Sequence, residues 1–337
     1  MSTIPSHSTV LVTGFTGYIG SHVAYQLLQA GYTVRGTTRS ADKATFLREK
    51  FTREFGEGRL EVVEIADVTV EGAIDQAIKG VSGVVHVASD VSMSPNIDDV
   101  VGPVVRGTLA ILRAAAATPS VKRFVLTSSS AAAGRPAPGT EYSRDENSWN
   151  EITRADVDAM DVARRGFLGY ALSKTEGEKA AWKFVKEEKP GFVLNTVLPD
   201  LTLGPSLDPS KPQSSGSFPF LILSGKSDIV APFPSQYFVD VRDVARLHLA
   251  GLTLPSTGAP GYRLWAAAAP FTWGQVLDTL RALRPDAGLP DSFPWAVKTN
   301  LSHIDNSRTT ALLGELGRGG WIGLEESLRD NVNVGGV

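Results

Sequence analysis

Val10-Leu11-Val12-Thr13-Gly14-Phe15-Thr16-Gly17-Tyr18-Ile19-Gly20 is a short apolar run that breaks into evenly spaced glycines. Ile19, Val23, Leu27 and Ala30 then recur at helical spacing, and Gly31 closes the pattern. Strand, glycine-rich turn and helix, in that order, form the setting in which glycines serve a dinucleotide. Gly14 permits the tight turn, Gly17 lets the backbone come close to a pyrophosphate, and Gly20 lets helix pack on strand. The helix start offers free N–H groups and a positive dipole end to phosphate. The spacing is G-x-x-G-x-x-G rather than G-x-G-x-x-G, and a plain glycine-rich turn can carry the same letters.

Outward from this turn, strand and helix patterns alternate. Tyr32 to Thr38 reads as the second strand, and Arg39 follows it. An NAD site usually places an acid there for the ribose 2′-hydroxyl. None stands between Tyr32 and Ala41, whereas Arg39 and Lys43 suit a 2′-phosphate. Solvated surface cations are the plainer reading of both. The series continues with a helix over 41–55, a strand over 60–65 ending at Asp67-Val68, a short helix over 70–78 and a strand over 84–89. A helix over 98–117 and a strand over 124–127 complete it, with Ser128-Ser129-Ser130 at the end. Such alternation predicts an α/β fold with a doubly wound parallel sheet. Ligands of such sheets bind outside the carboxyl ends of the strands. Gly14, Arg39, Asp67, Ala88 and Ser129 all fall there.

The composition narrows the classes. The 337 residues, 42% hydrophobic and 20% charged, suffice for a sizeable core in an ordinary globular chain. A net charge of −3 gives no broad basic surface for nucleic acid. Without cysteine there is no disulfide or thiolate chemistry, and the five histidines are scattered without metal-ligand spacing. No apolar run approaches the roughly 20 residues of a membrane span. The polar N-terminus lacks a signal-peptide pattern, so a cytoplasmic protein is expected.

From about Ala133 to Gly166 the chain reads as an irregular, acid-rich surface insertion with a short helical piece. Gly169-Tyr170-Ala171-Leu172-Ser173-Lys174 then reads as the opening of a helix that runs to about Glu188. Its Tyr and Lys, four residues apart, share one face. Many solvated helices carry the same pair. A core strand over 192–198 leads to Pro199-Asp200-Leu201, and proline and serine mark a change of composition after it. Helices are expected over 218–223, 241–252 and 306–314, another over 324–332, and one from the capping-box spacing of Thr272 and Gln275 through Arg284. A strand is expected over 261–265. Phe233, Tyr237 and Phe238 suit either an aromatic wall or core packing.

Taken in chain order, the glycine turn, the serine cluster and Tyr170/Lys174 resemble the extended short-chain dehydrogenase/reductases. The resemblance narrows to the branch of dihydroflavonol, cinnamoyl-CoA and methylglyoxal, aldehyde and ketone reductases. It is carried as well by Val125-Leu126-Thr127-Ser128-Ser129, Glu178-Lys179-Ala180-Ala181-Trp182, Leu203-Gly204-Pro205 and Phe238-Val239-Asp240-Val241-Arg242-Asp243. It covers nearly the whole chain. The resemblance implies a Rossmann-like sheet with a smaller C-terminal substrate-binding domain. Residues 1–200 would form the dinucleotide domain, receiving about 236–262 and 300–312, and 201–337 would be mainly substrate-binding. It further implies an NADPH-dependent carbonyl reductase with Ser129, Tyr170 and Lys174 as catalytic residues; Ser128 and Ser130 are rivals for the serine. Lysine in that family binds the nicotinamide ribose and lowers the tyrosine pKa. The cofactor residues implied are Gly14, Phe15, Thr16, Gly17, Tyr18, Ile19, Gly20, Arg39, Lys43, Asp67, Val68, Val87, Ala88, Ser89, Tyr170, Lys174, Pro199 and Leu201. The substrate would be a small hydrophobic or aromatic carbonyl compound, and the protein a monomer or homodimer. One departure stands out: Arg106 occupies the place where relatives often carry Asn. Competing readings are a nucleotide-sugar epimerase or dehydratase, a hydroxysteroid-type dehydrogenase and a non-catalytic dinucleotide sensor.

Overall fold

The computed structural model describes residues 3–210, 213–296 and 299–334. The quoted stretch folds as its pattern requires, into β1 (Thr9–Thr13), a turn and α1 (Tyr18–Gln29). Val10, Leu11 and Val12 are buried on both faces of the sheet, which is why they read as a continuous apolar run. There follow β2 (Thr33–Thr38), α2 (Thr45–Phe55), β3 (Leu60–Glu64), β4 (Gly83–His86), α3 (Val101–Ala116) and β5 (Arg123–Thr127). The helix expected over 70–78 does not form. Gly72 takes φ +80°, and the segment closes as successive turns, such as Asp75 N–H to Gly72 O at 3.1 Å. Ile74, Ala77 and Ile78 are buried all the same, so the apolar spacing reported burial and not helix. β4 ends at His86, short of the expected Ser89. The N–H groups of Val87 and Ala88 leave the ladder for the Thr13 hydroxyl, at 3.1 and 3.2 Å.

The insertion contains β6 (Tyr142–Arg144) and α4 (Arg154–Asp158). α5 (Val162–Glu188) begins two turns before Tyr170, so that residue lies well inside the helix and does not open it. Gly166 and Gly169 suggested a boundary; they are instead points of close approach. A Cβ at Gly166 would lie 2.5 Å from Met93 O, and one at Gly169 3.0 Å from Ile97 Cγ2. Then come β7 (Val193–Pro199), β8 (Leu201–Leu203), α6 (Phe218–Leu223), β9 (Tyr237–Asp240), α7 (Val241–Thr253), β10 (Arg263–Ala266) and β11 (Ala269–Pro270). α8 (Trp273–Leu283), β12 (Ser302–Ile304), α9 (Ser307–Glu315) and α10 (Leu324–Val334) complete the chain. α8 starts on the expected capping box, with Thr272 and Gln275 bonding each other's backbone N–H.

Seven strands form one parallel sheet in the order β3-β2-β1-β4-β5-β7-β10. The chain winds outward from β1 through β2 to β3, returns to β4 on the other side of β1, and winds the opposite way. The reversal between β1 and β4 opens a crevice at the carboxyl edge. One core packs α1, α2 and α7 on one face, and another packs α3 and α5 on the other. β8 pairs in parallel with β9, which pairs antiparallel with β11; β12 pairs in parallel with β6. Thus the strand in 236–262 joins a small sheet, and α7 is the part of that stretch that packs on the main one. A separate apolar core joins α6, α8 and α10 through Phe218, Ile222, Trp273, Leu277 and Leu328. Phe233 packs tilted against Phe218, with ring centroids 4.9 Å apart, and Tyr237 and Phe238 are buried, so all three pack as core.

Candidate active site

The crevice is built from the glycine turn and its latch. Gly14 takes φ +66° and is pressed against Ala88: an added Cβ would stand 3.0 Å from Ala88 Cα. At Gly20 a Cβ would stand 2.2 Å from Gly14 O, so α1 rests directly on the turn. Thr13 Oγ1 accepts the Val87 and Ala88 N–H groups and lies 2.8 Å from His86 Nδ1. Its own proton therefore goes to Nδ1, which leaves the imidazole hydrogen on Nε2. Burial and the nearby Lys174 charge hold His86 down to about 3, so the ring is neutral.

The remaining residues expected at this end divide by side chain. Phe15 is fully buried beneath Gly36, leaving only its backbone at the turn. Tyr18 donates its phenol to Gly204 O at 2.7 Å and so ties α1 to the loop after β8. Ile19 packs into the main core. Thr16 bonds Thr38 at 3.3 Å, linking the turn to the end of β2. Arg39 and Lys43 are exposed just beyond β2. Asp67 accepts the Thr69 N–H at 2.8 Å; the Thr69 contacts, with Arg106 adding to them, hold its carboxyl below the usual range. Arg106 thus faces Asp67. Val68 and Val87 are partly buried at their strand ends, and the Ser89 hydroxyl is buried with no hydrogen-bond partner among the described residues.

At the other end, α5 presents Tyr170 and Lys174 toward the end of β5. Lys174 Nζ donates to Thr127 O at 3.3 Å and stands 5.9 Å from the Tyr170 ring centroid. Burial lowers the ammonium to about 8, against the pull of Glu178. The three serines part ways. Ser128 donates to Glu178 Oε2 at 2.7 Å, away from the crevice. Ser129 accepts the Ala131 N–H at 3.2 Å and is the serine that acts on the Tyr170 phenol, whereas Ser130 acts on the Asp200 carboxyl. Of the three, Ser129 is the one placed with Tyr170. Burial pushes the Tyr170 phenol up, the Ser129 hydrogen bond pulls it down, and Asp200 pushes it up again.

Behind the pair lies a buried hub that the sequence reading missed. Glu178 accepts from Ser128, Thr196, Trp182 and Arg263, the last at 2.8 Å. Arg263 also bonds the Glu146 and Ser148 carbonyls and stacks 3.8 Å over Trp149. It thereby staples the insertion to the sheet. Thr13 and His86 were also missed, although each ends a recognisable strand. β7 ends at Pro199, buried in the sheet, and the Leu201 N–H is taken by Asp200 Oδ1 at 2.9 Å.

These residues fit a dinucleotide. The close approaches at Gly14 and Gly20 leave no room for a Cβ there, an orphaned buried hydroxyl stands at Ser89, and exposed Arg39 directly follows β2 with no acid before Asp42. The doubly wound sheet and the Ser–Tyr–Lys group at its carboxyl edge define a Rossmann-like protein of the extended short-chain dehydrogenase/reductase type. The profile of the NAD dependent epimerase/dehydratase family matches residues 10–264, and the chain belongs to that family. It is 44% identical over 334 residues to aldehyde reductase 2 of Sporidiobolus salmonicolor, covering 98% of this chain and 96% of that one. It is 38% identical over 337 residues to the ketoreductase adrE of Penicillium rubens, covering 98% and 97%. The crystal structure of yeast methylglyoxal/isovaleraldehyde reductase Gre2 complexed with NADPH has a TM-score of 0.82 at 27% identity, covering 97% and 98%.

Proposed function

We propose that this protein is an NADPH-dependent carbonyl reductase that converts an aldehyde or ketone to an alcohol. The observation that carries the reading is the gathering of Ser129, Tyr170 and Lys174 at the end of β5, where Lys174 Nζ donates to Thr127 O at 3.3 Å and stands 5.9 Å from the Tyr170 ring centroid. The likeness to an aldehyde reductase, a ketoreductase and a reductase solved with NADPH supports it. NADPH, when bound, supplies the hydride that the carbonyl carbon takes up. Ser129 donates a hydrogen bond to the carbonyl oxygen where negative charge develops. Tyr170 gives its proton to that oxygen, completing the alcohol. Lys174 holds the nicotinamide ribose and keeps a positive charge beside the site.

Along the crevice, Gly14, Phe15, Thr16, Gly17, Tyr18, Ile19 and Gly20 offer the backbone of the turn and the start of α1 to the pyrophosphate. Arg39 and Lys43 take the 2′-phosphate. Asp67, Val68, Val87, Ala88 and Ser89 line the strand ends between, and Pro199 and Leu201 lie toward the nicotinamide. Residues 1–200 serve as the cofactor half, and 201–337 mainly as the substrate half. The substrate is a neutral, largely apolar carbonyl compound. The setting is cytoplasmic, and the protein a monomer or homodimer; among the described residues no helix is long and apolar enough to cross a membrane. The missing acid after β2 disfavours an NAD-retaining sugar-nucleotide epimerase. The test is NADPH and NADH consumption with a panel of aldehydes, ketones and diketones. Turnover with NADPH, weakened at least tenfold in KM by Arg39→Ala, is expected. Preference for NADH, or no turnover of any carbonyl, contradicts the reading.

A further inference from the structure

Ser128 has no task in the reaction above, yet it is the residue through which Ser129 joins the sheet. Thr127 and Ser128, at the end of β5, send their side chains to opposite faces. Thr127 Oγ1 lies 2.7 Å from His248 Nε2 on α7, and the Ser128 hydroxyl donates to Glu178 Oε2 on α5, also at 2.7 Å. The Ser128 N–H donates to Val197 O on β7 at 2.8 Å. Both residues are buried. α5 meets this strand end along one stripe, with Tyr170, Lys174 and Glu178 on successive turns. Lys174 Nζ reaches Thr127 O at 3.3 Å and Glu178 reaches Ser128, so the helix is laced to two consecutive residues of the strand end. Glu178 is itself anchored. Its side chain is fully buried, and Arg263 donates to both carboxylate oxygens, at 2.8 and 3.1 Å. Thr196 on β7 donates to Oε1 at 2.7 Å. A hydroxyl bonded to such a carboxylate makes a short, charge-assisted contact that holds its geometry.

We propose that Ser128 is a positioning residue: through its hydrogen bond to Glu178 it holds the end of β5 against α5 and so aims Ser129 at the carbonyl oxygen that Tyr170 protonates. This rests on the carbonyl-reductase reading. Ser129 is extended, with φ −163° and ψ 153°, and its Oγ accepts the Ala131 N–H at 3.2 Å. That contact lies within the turn after β5 and moves with it, so the aim of Ser129 relative to α5 comes from the residue before it. A donor serves a developing oxyanion only at hydrogen-bond distance, and a shift of about 1 Å can cost on the order of a hundredfold in rate.

Thr196 supplies the control. Ser128→Ala and Thr196→Val each remove one buried hydroxyl from the same carboxylate, both at 2.7 Å, but only Ser128 adjoins Ser129. Steady-state carbonyl reduction, NADPH affinity and the thermal midpoint are measured on wild type and both variants. In Ser128→Ala, kcat is expected to fall about tenfold or more, with carbonyl KM and NADPH affinity within about twofold of wild type. Thr196→Val is expected to keep the wild-type kcat while its thermal midpoint falls by a similar amount. Equal kcat in the two variants overturns the positioning role, because a merely structural hydroxyl moves the midpoints alone. A loss of NADPH affinity with kcat unchanged overturns it too, since the contact would then act through Lys174. If Ser128→Ala does not fold, Ser128→Cys, a weak donor of similar volume, is read in the same way. Absence of any carbonyl turnover by wild type sinks the reductase reading and this proposal with it. Turnover that Ser128→Ala leaves intact sinks the positioning role alone.

Discussion

The phenol of Tyr170 is pulled in opposite directions by its neighbours: burial and Asp200 push it up, and Ser129 pulls it down. The Lys174 ammonium beside it is held by Thr127 O at 3.3 Å. Spacing i, i+4 set Tyr170 and Lys174 on one helix face, and only their order after the glycine turn and the serine cluster pointed to a shared role. Choosing among Ser128, Ser129 and Ser130 needed coordinates, because the three occupy a turn with no period to follow. Gly20 is a residue whose role the sequence already stated. A methyl group there would meet the Gly14 carbonyl oxygen at 2.2 Å and its carbon at 2.9 Å, backbone atoms that cannot step aside. Gly20→Ala should cost about 3 kcal/mol of stability or more, read as a lower midpoint in urea unfolding. A midpoint equal to wild type would show that the turn and α1 are not in contact.

Elements with strong patterns were legible, and those that depend on partners were not. The buried strands and the helices α1, α3, α7 and α8 follow from continuous apolar runs, helical spacing and caps. The turn series over 71–80 carried the same apolar spacing as a helix, and one glycine at positive φ decided against it. β6, β8, β11 and β12, each of two or three residues, exist through their pairing and leave almost no local signal. The insertion is held to the sheet by Arg263 on β10 and Glu178 on α5, whose side chains are 7% and 0% exposed. Removing one partner strands a buried charge. Arg263→Ala should therefore cost about 3–5 kcal/mol, and Glu178→Gln, which keeps only the acceptor contacts at Oε1 and leaves Arg263 without its counter-ion, should destabilise as well. Denaturant unfolding of the two variants checks this, and a harmless Arg263→Ala would mean the pair is solvated.

The whole molecule joins a doubly wound sheet to a smaller C-terminal core through buried polar groups. Tyr18 and His22 of α1 reach Gly204 O and Pro205 O, at 2.7 and 2.9 Å, and Asn331 of α10 donates to the same Gly204 carbonyl. His22, His86 and His248 are all buried and neutral, lowered by burial to about 4, about 3 and about 4. A lowered folded-state value means the unfolded chain binds more protons between the two values, so this stability is present above pH ~6.5 and lost as pH falls toward 4. Asp200, raised to about 7, acts in the opposite sense across part of that window, but three imidazoles oppose one carboxyl. The thermal midpoint should drop by about 5–10 °C between pH 6.5 and 4.5. A flat or rising midpoint over that range would show that these rings are not held neutral.

In the proposed reaction Tyr170, beside Ser129, supplies the proton in a crevice that would hold NADPH. The most direct measurement is single-turnover carbonyl reduction by wild type and Tyr170→Phe, with NADPH affinity determined on both. Tyr170→Phe is expected to reduce the rate by about 10²–10⁴-fold while NADPH affinity changes little. Undiminished reduction by Tyr170→Phe would rule out this role for the phenol.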